Sequence, residues 1–205
     1  MLQGCLLDAP AGTPPASLAD GVEHIDLGAG AWLERSRGWL PDADLFAELA
    51  SGVAWHAESR PMYDRVVEVP RLLAFFGEGE PLPHPALEAA RFALDERYGP
   101  LLGEGLTTAG LCFYRDGRDS VAWHGDTIGR GAREDTVVAI LSLGAARRFL
   151  LRPAGGGRSA RFELLHGDLL VMGGSCQRTW HHAVPKTARP VGPRISVQFR
   201  ARGVR

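Results

Sequence analysis

The spacing of apolar residues changes near the middle of the chain. In the first half, two segments repeat apolar residues at helical intervals. One opens at residues 41–44, where aspartates suit the positive end of a helix, and the other opens at Pro85. Between them, residues 60–77 predict two strands, RVVEV and RLLAFF, which are separated by a turn and ended by Gly77.

From Gly110 onward the pattern becomes one of short strands separated by glycine-rich and polar turns. The predicted strands are LCFY, VVAILSL, RRFLLR, RFELL, DLLVMG and RISVQF. Strands at this spacing are typical of a sandwich or barrel. We therefore predict an α+β fold with a mainly β core. Residues 1–40 form an N-terminal extension, 41–109 a helical and mixed layer, and 110–205 the β core.

Composition places the chain among globular proteins, with 205 residues, 45% hydrophobic and 23% charged. No apolar run reaches the ~18 residues of a membrane span, and the first residues lack a signal-peptide pattern. The cysteines, Cys5, Cys112 and Cys176, show neither disulfide nor zinc spacing. We expect a cytoplasmic monomer that has no contact with membranes.

The net charge of −1 hides an asymmetry between the two halves. Residues 1–100 carry 7 Arg, no Lys and 16 acidic residues, a net charge of −9. Residues 101–205 carry 15 Arg, 1 Lys and 8 acidic residues, a net charge of +8. Either the halves neutralise each other in the fold, or the second half presents a basic face suited to phosphates.

A candidate metal site begins at His124-Gly125-Asp126. In an extended chain, residues i and i+2 project to the same face, so the imidazole and the carboxylate can reach one ion. Two histidines and one carboxylate form the ligand set of non-haem Fe(II) oxygenases, which leaves positions for a co-substrate and O₂. By itself the pair also fits a surface His beside a solvated Asp.

The second histidine must come from a distant strand. His181 and His182 follow Trp180, and alternation lets only one of them face the metal. His166 is a further candidate, although its position in His166-Gly167-Asp168 indicates a tight turn with a structural role.

The last strand, 194-RISVQFR-200, alternates cleanly, so that Arg194 and Arg200 share one face. On an edge strand these arginines would face water. Inside a sandwich that holds a metal, the same face would place a guanidinium in the cavity. Such a group binds a carboxylate bidentately, as a dicarboxylate co-substrate requires.

Taken together, these motifs resemble the AlkB-type 2-oxoglutarate/Fe(II) dioxygenases. The resemblance runs through 124-HGD-126, His182 and 194-RISVQFR-200, and through flanking segments such as ILSLGAARRF and HGDLLVMGG. It spans roughly residues 40–202 and is closer to the eukaryote-like DNA/RNA demethylase branch. It implies a double-stranded β-helix, or jelly roll, preceded by N-terminal helices and a nucleotide-recognition lid at about residues 52–77.

The resemblance also assigns roles within the site. The pattern W-x-H-x-V-P-K selects His182 as the third Fe(II) ligand, beside His124 and Asp126. Arg194 would bind the far carboxylate of 2-oxoglutarate, with O₂ as the second co-substrate. Arg200 would lie near the chelating end of 2-oxoglutarate and near Asp126.

Two positions around the implied site depart from the usual family pattern. Tyr114 matches a tyrosine that donates to 2-oxoglutarate, but Cys112 stands where the family usually has Asn. Residues 126–131, DTIGRG, replace the acidic run that repair enzymes commonly carry there.

The implied reaction is oxidative demethylation of N-alkylated bases, such as 1-methyladenine or 3-methylcytosine, in DNA or RNA. The base must be single-stranded or flipped out of the duplex. Candidate substrate contacts combine aromatic, apolar and basic side chains. They are Tyr63, Met62, Arg60, Arg130 and Arg161. Alternatives are the same chemistry on a protein or small molecule, or a non-catalytic jelly roll that retains relict ligands.

Overall fold

The computed structural model describes residues 15–18, 21–62 and 65–204, and for residues 60–62 and 65–68 it describes the backbone alone. The described helices are α1 (Leu45–Gly52), α2 (Pro85–Leu102) and α3 (Cys176–Thr179), with a 3₁₀ turn at Arg130–Ala132. The described strands are β1 (Glu23–Gly28), β2 (Ala31–Ser36), β3 (His56–Met62), β4 (Arg65–Phe76), β5 (Thr108–Tyr114), β6 (Val121–His124), β7 (Thr136–Gly144), β8 (Arg147–Pro153), β9 (Ala160–Leu164), β10 (Leu169–Gly174), β11 (Trp180–Val184) and β12 (Arg194–Arg200).

Two antiparallel sheets form the core. The large sheet has the strand order β1-β2-β10-β7-β12-β5-β4-β3, and the small sheet has the order β6-β11-β8-β9. The face of the large sheet that points away from the small sheet packs against α1 and α2, and there Leu141, Val197 and Phe199 are fully buried. This arrangement confirms the mainly β, jelly-roll fold that the sequence predicts.

The hairpin of β1 and β2 belongs to the large sheet, since β2 pairs along its length with β10. Leu33 on β2 and Trp39 beyond it are fully buried. The segment that the sequence analysis set apart as an N-terminal extension therefore contributes two strands. The turn between them uses three consecutive residues at positive φ, including Ala29 at φ 53°.

β4 corrects the prediction of two strands separated by a turn. It runs unbroken through Pro70, with residues 69–71 opposite the single residue Glu58 of β3. A proline is tolerated at a bulge because the bulged residue does not have to donate a hydrogen bond to the neighbouring strand. β3 and β4 occupy most of the predicted lid.

The two long helices begin where the sequence predicts. Asp42 accepts hydrogen bonds from the backbone N–H of Asp44 and of Leu45 at the start of α1. His84 accepts one from Ala86 at the start of α2, and Gly103 ends that helix at φ 70°. Among the described residues, neither of these helices nor α3 is apolar and long enough to cross a bilayer.

Candidate active site

The pairing of β6 with β11 sets two imidazoles side by side. His124 on β6 lies directly opposite His182 on β11. Their ring centroids are 4.2 Å apart, and the His182 ring stacks on Phe149 with a centroid separation of 5.4 Å. Because paired residues of neighbouring strands point to one face, both rings face the interior between the sheets.

Asp126 completes the group just beyond the end of β6. Its Oδ1 lies 3.8 Å from Nε2 of His124, and its Oδ2 accepts a hydrogen bond from Nε of Arg200 at 3.0 Å. Ligand atoms of the three residues all lie within 4.8 Å of one another. A Cβ at Gly125 would stand 2.5 Å from the backbone oxygen of Gln177, so the turn between the ligands requires glycine.

The protonation states of His182 and Asp126 suit a metal at neutral pH. Nδ1 of His124 donates to the backbone oxygen of Ala122 at 2.8 Å, which leaves Nε2 as the ligand atom. Burial lowers the pKa of His182 to about 3, so its ring is neutral. Burial would raise the pKa of Asp126, but Arg200 and the two histidines outweigh it and lower that pKa to about 2. Two neutral imidazoles and one carboxylate are the donors that Fe(II) takes in facial triads.

The other two histidine candidates lie elsewhere. His181 is opposite Arg152 and faces the outer side of the small sheet. His166 accepts from Gly144 N–H at 3.0 Å through Nδ1 and contacts Asp42 O at 2.7 Å through Nε2, so both ring nitrogens serve the fold.

A buried guanidinium lies in the same pocket as the triad. Arg194 on β12 is 1% exposed, and its Nε donates to Oγ of Ser142 at 2.8 Å. Nη1 is buried and has no hydrogen-bond partner among the described residues. Burial lowers the pKa of Arg194, which is the cost of holding a cation away from water. An anionic carboxylate is the group that would satisfy it, so the pocket fits 2-oxoglutarate.

Tyr114 and Cys112 line this pocket from β5. Tyr114 lies opposite Arg194, and burial raises the pKa of its hydroxyl to about 12, so it remains a donor. Cys112 lies opposite Ser196, and its thiol is 3.6 Å from Oε1 of Gln198. The thiol that replaces the Asn expected from the family resemblance therefore faces the pocket.

Arg71 lines the pocket as well, although it was not among the candidate site residues. Its Nη1 donates to the backbone oxygen of Ser120 at 3.2 Å, and its buried Nε has no partner among the described residues. The signal available in the sequence was its alternation with Leu73 and Phe75 on one strand face. The predicted break near Pro70 obscured that alternation.

Of the candidate substrate residues, Arg130 and Arg161 have described side chains, and neither lines the pocket of the triad. Tyr63 lies outside the described residues, and the side chains of Arg60 and Met62 are not described. Arg130 is ion-paired with Glu104 and Glu134, which neutralises its charge. Arg161 is exposed on β9, where it lies opposite Leu150.

Comparison with known proteins identifies the family. The sequence pattern of the 2OG-Fe(II) oxygenase superfamily matches residues 77–200, which include the triad and both arginines of β12. The chain belongs to this superfamily. Membership in this superfamily implies that the protein uses Fe(II) as its metal and 2-oxoglutarate and O₂ as co-substrates.

Similar sequences place this 2OG-Fe(II) oxygenase in the AlkB-type branch. It is 33% identical over 185 residues to the alpha-ketoglutarate-dependent dioxygenase alkB homolog 3 of Bos taurus, covering 78% of this chain and 62% of that protein. It is 30% identical over 203 residues to its Homo sapiens counterpart, covering 88% and 66%. It is also 26% identical over 226 residues to the DNA oxidative demethylase ALKBH2 of Arabidopsis thaliana, covering 92% and 72%. The chain thus spans less than two thirds of the alkB homolog 3 proteins that it matches.

Solved structures share the fold of this oxygenase. OsALKBH1 matches with a TM-score of 0.55 at 18% identity, covering 86% of this chain and 100% of that one. A Pseudomonas putida prolyl-4-hydroxylase matches with a TM-score of 0.53 at 21% identity, covering 82% and 92%.

Proposed function

We propose that this protein is an Fe(II)- and 2-oxoglutarate-dependent oxidative demethylase that acts on N-alkylated bases of nucleic acid. One observation carries the proposed chemistry. A single pocket holds both the His124-Asp126-His182 triad and a fully buried Arg194 whose Nη1 has no hydrogen-bond partner among the described residues. A dicarboxylate with a keto acid at one end can join these two features.

The residues around the pocket hold the co-substrate in place. Arg194 pairs with its far carboxylate, and Ser142 fixes the guanidinium through Nε. Tyr114 keeps its proton and donates a hydrogen bond. Arg200 holds Oδ2 of Asp126 and thereby leaves Oδ1 for the metal. A bound Fe(II) would supply the activation of O₂ that oxidises the substrate C–H bond while 2-oxoglutarate is decarboxylated.

The substrate class rests on the relatives. The names of the Arabidopsis protein and its counterparts in Bos taurus and Mus musculus describe oxidative demethylation of DNA. Hydroxylation of an N-methyl group gives a product that loses formaldehyde, so activity releases one formaldehyde per repaired base. The open side of the triad supports access by a large substrate, since the His124 side chain is 39% exposed.

The test incubates Fe(II)-loaded protein with 2-oxoglutarate, O₂ and oligonucleotides that carry 1-methyladenine or 3-methylcytosine. Formaldehyde and intact adduct are both quantified. We expect equal amounts of formaldehyde released and adduct lost, with none from the unmethylated oligonucleotide or from Asp126→Ala. Turnover of 2-oxoglutarate without repair of any methylated oligonucleotide would leave the oxygenase chemistry standing and refute the substrate.

We also propose that the protein works in the reducing cytoplasm. Cys112 and Cys176 are free thiols, and Cys112 lines the co-substrate pocket. Oxidation of Cys112 would place a bulkier, polar group beside Tyr114. Fractionation of cells that produce the protein, with detection by antibody, would test this location.

A further inference from the structure

The outer face of the small sheet carries a group of aromatic and basic side chains. The strand registers place Arg152 opposite His181, and Arg161 and Ala183 opposite Leu150. Phe149 and Leu151 of β8 alternate with these positions and are buried inside. We call this surface the outer basic face. It consists of Trp123, Arg148, Arg152, Arg161 and His181.

Trp123 and Arg152 contact each other on this face, and their side chains are stacked. The Cζ atom of Arg152 lies 4.2 Å from the centroid of the Trp123 ring, which is a close cation–π contact. Ala183, on the strand between them, is only 4% exposed. Nε of Arg152 has no hydrogen-bond partner among the described residues. One face of the partly exposed indole is therefore covered by a cation.

The arginines of this face form no ion pair with a residue that the structure describes. Elsewhere in the basic second half, arginines pair with carboxylates, as Arg115 does with Asp119 and Arg178 with Asp135. No such pair with a described residue is formed by Arg148, Arg152 or Arg161. Glu163 is the acidic residue within the four described strands of the small sheet, and it lies opposite Arg148.

A cavity continues the basic surface beyond β8. It has a volume of about 160 Å³, and its lining includes Arg148, Glu163, Lys186 and Arg189. Lys186 and Arg189 are exposed and likewise form no ion pair with a described residue. The charge asymmetry of the sequence is therefore concentrated around this sheet, where anions can reach it.

We propose that the outer basic face binds the single strand of nucleic acid next to the base that enters the active site. The arginines contact its phosphates, and a neighbouring base stacks on Trp123. This inference rests on the proposed function, and it assigns a binding surface outside the predicted lid.

The position of β6 connects this surface to the metal centre. Trp123 and His124 are consecutive residues that point to opposite faces of the sheet, and β6 is its edge strand. A chain that lies against Trp123 therefore has to pass one strand, a width of about 4.8 Å, to present a base at His124. Successive nucleotides of a single strand can cover that distance.

The experiment measures binding of a methylated single-stranded oligonucleotide to the Mn(II)-loaded protein over a series of salt concentrations. The test variant is Arg148→Gln/Arg152→Gln/Arg161→Gln. Loss of three phosphate contacts should reduce the slope of log K against log salt by about 2 and weaken binding at low salt by about tenfold or more. Turnover of 2-oxoglutarate without substrate should not change. If the triple variant does not fold, Arg148→Gln/Arg161→Gln, which alters only exposed side chains, should reduce the slope by about 1.4.

The matched control is Arg35→Gln/Arg91→Gln/Arg118→Gln, which removes the same charge from arginines that are ion-paired. It should retain the wild-type slope. The stacking contact has its own readout, because quenching of protein fluorescence by the oligonucleotide should decrease in Trp123→Phe.

Three results would overturn the inference. If the wild type binds and the triple variant binds with the same slope, the strand lies elsewhere while the proposed function stands. If the wild type binds no oligonucleotide at low salt, the proposed substrate fails as well. If polyglutamate competes as well as an oligonucleotide of equal charge, the face is a general anion surface.

Discussion

Removal of the Arg194 guanidinium tests how the co-substrate is held. The side chain is 1% exposed, Nη1 has no described partner, and Nε is bonded to Ser142. A carboxylate bound there forms a buried pair, and breaking such a pair costs about 3–5 kcal/mol. At about 1.4 kcal/mol per factor of ten, Arg194→Ala should weaken 2-oxoglutarate binding between about 100-fold and a few thousand-fold.

The assay should measure dissociation constants and not Michaelis constants, because the two agree only when chemistry is slow. Titration of the Mn(II)-loaded protein with 2-oxoglutarate in the absence of O₂ meets this need. Arg194→Lys keeps the charge but loses the planar fork, so its dissociation constant should fall between those of the wild type and Arg194→Ala. The affinity for Mn(II) alone should be unchanged in both variants.

Stability measurements distinguish a binding role from a structural one. Because Arg194 is a buried cation that forms no ion pair with a described residue, Arg194→Met should retain or raise the melting temperature of the free protein. The wild type should be stabilised by saturating 2-oxoglutarate, by about 2.7 kcal/mol at 100 times the dissociation constant, whereas Arg194→Met should not respond. A strongly destabilised Arg194→Met that still binds 2-oxoglutarate would refute the reasoning.

Three further predictions concern the triad and its neighbours. Asp126→Ala should abolish turnover. In equilibrium dialysis, His182→Ala should lose Mn(II), whereas His181→Ala should retain it. If His181→Ala lost the metal and His182→Ala retained it, His181 would be the ligand. Cys112→Asn should lower the dissociation constant of 2-oxoglutarate, since an amide donates better than a thiol, and an unchanged constant would show that Cys112 serves packing alone. In the metal-free protein, His182 should contribute a loss of about 2 kcal/mol of stability between pH 7 and pH 5, because its pKa is about 3 when folded and 6.5 when unfolded, so that protons bind the unfolded chain first. Thermal unfolding in chelator should show a shallower pH dependence for His182→Gln than for His181→Gln, and equal slopes would contradict the assignment.

The sequence predicted the parts of the site that follow from local alternation. His124 and Asp126 lie two residues apart, and Arg194 belongs to a strand whose pattern is unambiguous. The choice between His181 and His182 required the family resemblance. Its physical basis is the strand register, which no local pattern contains.

The features that were missed depend on distant pairing or on very short strands. β6 has four residues and β11 has five, too few for a periodic signal. The hairpin of β1 and β2 does alternate around Gly28 and Gly30, but its membership of the large sheet depends on β10. Arg71 was overlooked because Pro70 was interpreted as a break, whereas the backbone absorbs it as a bulge.

Many strands that pair in this fold are far apart in the sequence, and this affects the folding kinetics. Ser36 pairs with Leu169, and His124 with His182, so the site exists only after remote parts of the chain have met. Folds dominated by such non-local pairing cross their folding barrier slowly. Fe(II) and 2-oxoglutarate therefore bind only after the folding barrier has been crossed, and they affect the rate of unfolding. Their addition should lengthen the half-life of unfolding while leaving the refolding rate of the chain unchanged.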